Sequence, residues 1–165
     1  MDIGRILRHL FTPPWRVRRV FPRQALLAIE AAIKAGESTH AGEIRFVVEG
    51  ALDCAALLKG QTARERAIEV FSQLRVWDTA QNNGLLIYLL LADRAVEIVA
   101  DRGIHGKAGA QVWETICHDM EDTFRAGDYA DGVLDGIKAV TRQLNRHFPR
   151  QDPYQNELPD QPVLL

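Results

Sequence analysis

The chain has 165 residues, which suits one domain with a substantial core. Apolar residues make up 47% and charged residues 25%, and the formal net charge is −2. This excludes a disordered chain and leaves no global electrostatic reason to expect nucleic-acid binding or attachment to a membrane by charge.

Two cysteines, Cys54 and Cys117, have neither CxxC nor Cys/His spacing, so no zinc site is expected and a reducing compartment is the simpler setting. Residues 1–22 read as a basic N-terminal arm: Arg5, Arg8, Arg16, Arg18 and Arg19 stand against Asp2 alone, and Arg23 follows. Ile3, Ile6, Leu7 and Leu10 have the spacing of one face of a short helix, which suits an anionic membrane surface or an acidic partner. The plainer expectation is a solvated arm folded back on the domain and dispensable for its folding. Its apolar residues stop at Pro13-Pro14, with no signal-peptide core. The run Leu85 to Ala92 is too short to span a bilayer, and a cytoplasmic location is expected.

From Gln24 to about His40, Leu26, Ile29 and Ile33 recur at helical spacing. Ile44, Phe46 and Val48 then alternate with their neighbours, predicting a strand from near Glu43. Thr62 and Glu65 form a capping-box pattern and open a helix that should bury Ala67, Ile68, Phe71 and Leu74. Leu85 to Leu91, apolar on both faces, predicts a central strand covered by helices on each side. Asp93-Arg94 turns the chain into a third strand through Val96, Ile98 and Ala100, completing a hairpin. Trp113, Ile116, Cys117, Met120 and Phe124 mark one long helix, and Val133, Leu134, Ile137, Val140 and Leu144 mark another. Between them, Gly127 suits a left-handed helix end, and Asp128 with Asp131 reads as a cap because the EF-hand register is missing. Residues 149–165 form a tail with Pro149, Pro153, Pro159 and Pro162, able to lie across the domain or to dock Val163-Leu-Leu165 on a partner.

His40-Ala-Gly-Glu-Ile-Arg-Phe-Val-Val-Glu49, Asn83-Gly-Leu-Leu-Ile-Tyr-Leu-Leu-Leu-Ala-Asp-Arg94, Val96-Glu-Ile-Val-Ala-Asp-Arg-Gly-Ile-His-Gly106 and Phe124-Arg-Ala-Gly-Asp-Tyr129 resemble, in order and spacing, the successive blocks of the TPM domain. The resemblance covers residues 23–148 and implies an α/β fold, an α/β/α sandwich with a small mixed β-sheet flanked by helices. The family includes a thylakoid-lumen acid phosphatase, a photosystem II repair protein and a modulator of a nematode acetylcholine receptor, and some members bind divalent cations. Many members carry Asp-Asn-Gly before the central strand, where this chain has Asn82-Asn83-Gly84, and many carry a signal peptide or membrane anchor. The missing carboxylate weakens the implied metal-dependent phosphatase activity.

A parallel crossover from the first strand to the second, followed by the hairpin, brings Glu43, Asn82, Asn83, Asp101, Arg102 and His105 to one edge of the sheet. Glu43, Asn82 and Asp101 are the candidate metal ligands. Two carboxylates and an amide would hold Ca²⁺ or Mg²⁺ only weakly, with water completing the shell, and no other cofactor is expected. Gly103-Ile-His-Gly-Lys-Ala-Gly109 precedes a helix, so its backbone N–H groups with Arg102, His105, Gly106 and Lys107 are the candidate ligand-binding set, suited to a phosphate. The bland alternatives are a turn, a surface ion pair and a tight connection. Cys54 and Cys117 are expected to be buried small apolar residues, and no nucleophile-elbow motif is present.

The expected function is a noncatalytic interaction domain associated with a membrane-protein assembly. The alternative is a divalent-metal-dependent phosphate-monoester hydrolase. The partners expected are a protein of that assembly and a peripheral membrane contact through the basic arm, without nucleic acid.

Overall fold

A computed structural model of the chain describes residues 2–150 and 155–165; Pro153 of the tail lies outside them. The N-terminal stretch forms two short helices, α1 (Ile3–Leu10) and α2 (Trp15–Val20), before α3 (Arg23–Glu37). Asp2 caps α1 by accepting the Arg5 N–H at 3.1 Å, and Pro22 stands at the N-cap of α3, where a missing N–H costs nothing. Strand β1 (Glu43–Glu49) leads through α4 (Cys54–Leu58) and α5 (Ala63–Gln73) to β2 (Gly84–Leu90). The capping box at α5 is formed on both sides, with Thr62 accepting the Glu65 N–H and Glu65 accepting the Thr62 N–H. β3 (Ala95–Ala100), α6 (Arg102–Ala108), α7 (Ala110–Ala126), α8 (Tyr129–His147) and β4 (Val163–Leu164) complete the chain.

The sheet order is β3-β2-β1-β4. β1 and β2 are parallel with Glu43 opposite Gly84, β2 and β3 form the antiparallel hairpin, and β4 runs parallel to β1. Helices cover both faces because both are apolar. Ile44, Phe46, Val48, Leu85, Ile87 and Leu89 join the core beneath α3, α7 and α8. Val47, Leu86, Tyr88, Leu90 and Val99 join the one beneath α5. The result is the expected α/β/α sandwich with a mixed sheet.

Several positions differ from the sequence reading. Ile68 is half exposed, and Val70, two residues on and on the other side of the helix, occupies the inward position of α5 instead. Leu134 is only partly buried, whereas Trp113, Phe124 and Ile137 are core. Cys54 is exposed at the start of α4, and only Cys117 is buried. Gly127 takes the expected left-handed conformation at φ 98°, whereas Asp128, expected to cap α8, stands at its N-cap without a side-chain hydrogen bond.

The arm contributes to the core, contrary to the expectation that its residues lie outside it. Val17 and Phe21 are buried, and the Phe21 ring meets Phe46 edge-on at 5.9 Å between centroids. The tail returns along the free edge of β1: the Leu165 N–H donates to Val48 O at 3.0 Å, and the Gly50 N–H donates to Leu165 O at 3.2 Å. Its last residues therefore dock on the chain's own sheet.

Candidate functional site

The strand register places Glu43, Gly84 and the residue after β3, Asp101, side by side at the amino edge of β1 and β2. The Asp101 N–H donates to Gly84 O at 2.9 Å, and the Glu43 N–H to Asn83 O at 3.0 Å. Glu43 is buried and accepts the Leu158 N–H from the tail at 3.1 Å. Asp101 caps α6, its Oδ1 accepting the Arg102 N–H at 2.6 Å, while its Oδ2 is buried without a partner among the described residues. Asn83 donates its side-chain amide to Ala41 O, and its Oδ1 is also buried without a partner. Asn82 is exposed and has a left-handed backbone at φ 51°.

Glu43 and Asp101 are therefore two strand spacings apart, about 10 Å between backbones. The ground between them is taken: a side chain at position 84 would collide with the carbonyl of Val76. Among the described residues no three His, Cys, Asp or Glu side chains are grouped to hold a metal ion, so the residues present do not fit a cation held by three such ligands.

The glycine-rich segment, a candidate phosphate loop or else a tight strand-to-helix connection, forms the helix α6. Its N–H groups are already engaged, Gly103 donating to Asn82 O at 3.1 Å and both Ile104 and His105 donating to Asp101 O. Arg102, His105, Gly106 and Lys107 are exposed and diverge. Lys107 lies over the Phe148 ring at 4.2 Å, while His105 joins Trp113 and Cys117 in a groove of about 410 Å³ beside β3. Burial pushes the Cys117 thiol up to about 12, so it is no nucleophile at neutral pH.

Two further clusters escaped the sequence reading. At the carboxyl ends of β1 and β2, where open sheets more often bind ligands, Glu49 accepts Arg66 Nε at 2.9 Å and Nη2 at 3.1 Å, and the Tyr88 hydroxyl at 2.6 Å. The hydrogen bond from Arg66 to Glu49 raises the guanidinium pKa, and burial raises the Tyr88 phenol. This satisfied triad borders a groove of about 640 Å³ that also includes Lys59 and Glu69. A Glu and a Tyr interrupting otherwise apolar strands were the available signals.

At the opposite corner, Glu37 accepts the Ile44 N–H at 2.7 Å. Its burial, with Glu43 and Asp160 nearby, pushes the carboxyl up to about 9 despite that N–H. Arg45 beside it donates to Pro159 O and Gln161 O of the tail, and burial lowers its pKa against the pull of Asp160 and Glu37. An acidic residue in the last turn of a helix, against the macrodipole, was the signal for Glu37.

The TPM domain model matches residues 18–143, most of the chain. The chain belongs to the TPM-domain family. The TPM match starts inside α2 and ends inside α8. The BA42 protein of the psychrophilic bacterium Bizionia argentinensis, solved by NMR, is similar over 86% of this chain and 93% of its own, with 28% identity and a TM-score of 0.76. The N-terminal domain of a protein from P. gingivalis shares the fold at 22% identity and a TM-score of 0.63, over 85% of this chain and 94% of its own. No curated protein matches. No helix among the described residues of this TPM domain is long and apolar enough to cross a membrane.

Proposed function

We propose that this TPM domain is a noncatalytic interaction domain of a membrane-protein assembly and meets its partner through the segment before Pro22. The supporting observation is the polarity of that segment. Leu7, Leu10, Phe11 and Trp15 face solvent on helices that buried side chains such as His9 and Val17 hold to the domain. A firmly seated apolar surface of this kind marks a contact. A photo-crosslinking side chain at position 10, introduced in the native host, should yield adducts with a membrane protein, whereas the same group at exposed position 135 should not. Equal labelling from both positions would remove the reading.

The second reading is a divalent-metal-dependent phosphate-monoester hydrolase at the amino edge of the sheet. It draws support from the buried, unpartnered Asp101 Oδ2 and Asn83 Oδ1, which a ligand could satisfy. Hydrolysis of p-nitrophenyl phosphate in Mg²⁺ or Ca²⁺, abolished by Asp101→Asn with the fold intact, would favour it. Hydrolysis unaffected by that substitution would point to a contaminant.

A further inference from the structure

We infer that α1 and α2 form a docking face for the surface of an anionic lipid bilayer, an inference that rests on the arm being a contact surface and names the lipid itself as what it contacts.

Helix α1 is turned inside out relative to an ordinary surface helix, which buries its apolar stripe and exposes its charges. Its inward side chains are Arg5, His9 and the partly buried Ile6, so two of the three are polar. Arg5 Nε lies 2.9 Å from Asp93 Oδ2, and its Nη1 donates to Gln61 O at 2.8 Å. His9, buried, lies 3.0 Å from Asp93 Oδ1 through Nε2, while its Nδ1 accepts the Leu52 N–H at 3.0 Å. These contacts fix the rotation of the helix. As a result Leu7, Leu10 and Phe11 point to solvent, 47%, 57% and 78% exposed, and Trp15 continues the row at 59%. The domain core leaves these four unburied, although each would be stabilised by leaving water.

The charge beside this row has one sign. Residues 3–29 contain six arginines and no Asp or Glu. Arg5 and Arg8 are held by Asp93, and no carboxylate among the described residues pairs with Arg16, Arg18, Arg19 or Arg23. Phe11, Trp15, Arg16 and Arg19 line a groove of about 600 Å³ that ends on Tyr129, and the Arg19 guanidinium lies 5.9 Å from the Trp15 ring centroid. Aliphatic and aromatic side chains in a row, a tryptophan at their margin and arginines alongside are what the boundary between headgroups and acyl chains selects. Helix α1 is about 12 Å long, so it would lie in the boundary and not cross it. A second copy of the chain is a poorer occupant, because a two-fold contact would set the same uncompensated arginines against each other.

The test uses the full chain with vesicles of phosphatidylcholine alone or with one quarter phosphatidylglycerol, read by co-sedimentation and by tryptophan fluorescence in a Trp77→Phe background, where Trp15 is the exposed emitter and Trp113 a buried, constant one. Expected are sedimentation and a blue shift with the anionic vesicles only, weakened by added salt. Leu10→Ser with Phe11→Ser should lower the affinity roughly 10-fold or more. Arg18→Gln with Arg19→Gln should lower it by a similar factor and flatten the salt dependence. Ile68→Ser, which removes an exposed apolar side chain elsewhere, should change nothing. All these positions are exposed, so the variants should fold.

Failure to bind anionic vesicles, binding indifferent to the arm substitutions, or a wild-type dimer that Phe11→Ser dissociates would each overturn the inference. If position 10 crosslinks to a protein while vesicles are ignored, the lipid inference falls and the protein-contact reading stands. With arm-dependent vesicle binding and no protein adduct, the lipid inference stands and the protein-contact reading falls.

Discussion

Replacing Glu37 by Gln should stabilise the protein near neutral pH and remove part of its pH dependence. The Glu37 carboxyl lies in the last turn of α3 with one oxygen on the Ile44 N–H at 2.7 Å. Burial raises its pKa from 4.5 to about 9, and the negative neighbours Glu43 and Asp160 act in the same direction. The folded state thus holds a proton that the unfolded state releases above pH 4.5. Stability from this group is fully present below about pH 4.5 and is lost as pH rises through about 9. At pH 7 the two and a half units above 4.5, at ~1.4 kcal/mol per unit, correspond to a loss on the order of 3 kcal/mol.

Glutamine keeps the shape and the acceptor for Ile44 and cannot ionise. Urea unfolding of both proteins at pH 5, 7 and 8.5 isolates the effect, since titrating groups remote from position 37 cancel in the difference. The variant's advantage should be small at pH 5, on the order of 3 kcal/mol greater at pH 7 than at its low-pH limit, and larger again at pH 8.5. A difference that stays constant across the three pH values would refute a neutral Glu37, whatever its absolute size.

Phe124→Ala should cost ~3–5 kcal/mol in urea unfolding, because the ring is buried and stacks on Tyr129 at 5.0 Å between centroids; unchanged stability would deny it a core role. Phe21→Ala should cost a similar amount, and deleting residues 1–22 should lower the urea midpoint at least as far; a truncated chain as stable as the parent would restore the dispensable arm. For the metal reading, millimolar Ca²⁺ or Mg²⁺ would have to shift the amide signals of Glu43, Asn82 and Asp101 before others, with affinity near ~10⁻⁴–10⁻³ M and strengthened by Asn82→Asp. Signals unmoved in both the parent and that variant would eliminate it.

The elements that local pattern controls were legible. The capping box opened α5 where Thr62 and Glu65 placed it, and the doubly apolar Leu85–Leu91 run became the interior strand. What escaped depends on partners remote in sequence. The glycines at 103, 106 and 109 suggest a loop by propensity, yet Asp101 caps the turn, and a side chain at Gly103 would strike the carbonyl of Asn82. Close packing therefore supplies a reason for one glycine without a ligand, in line with a tight connection. The arginines of the arm suggested solvation, but Asp93, far along the chain, draws Arg5 and His9 inward. No local pattern contains that contact. Of the candidate site, topology correctly gathered Glu43, Asn83 and Asp101 at one edge, while side-chain directions and the intervening Val76 backbone lay beyond it.

The same logic explains why β1 carries Glu43, Arg45 and Glu49 although all seven of its residues are buried. Alternation with Ile44, Phe46 and Val48 suggests a strand with one wet face, but each charged side chain has an internal counterpart. Glu43 receives the Leu158 N–H, Arg45 reaches the Pro159 and Gln161 carbonyls, and Glu49 takes Arg66 and Tyr88. The first two partners belong to the tail. Burying such groups is tolerable only when their hydrogen bonds are met, so the tail behaves as part of the fold, and the face it closes is unavailable to a partner while it is seated. By contrast, the four apolar side chains from Leu7 to Trp15 have nothing internal to cover them. Unmet need, polar or apolar, is the physical mark of a surface awaiting a partner, and among the described residues an apolar instance runs from Leu7 to Trp15 on the arm.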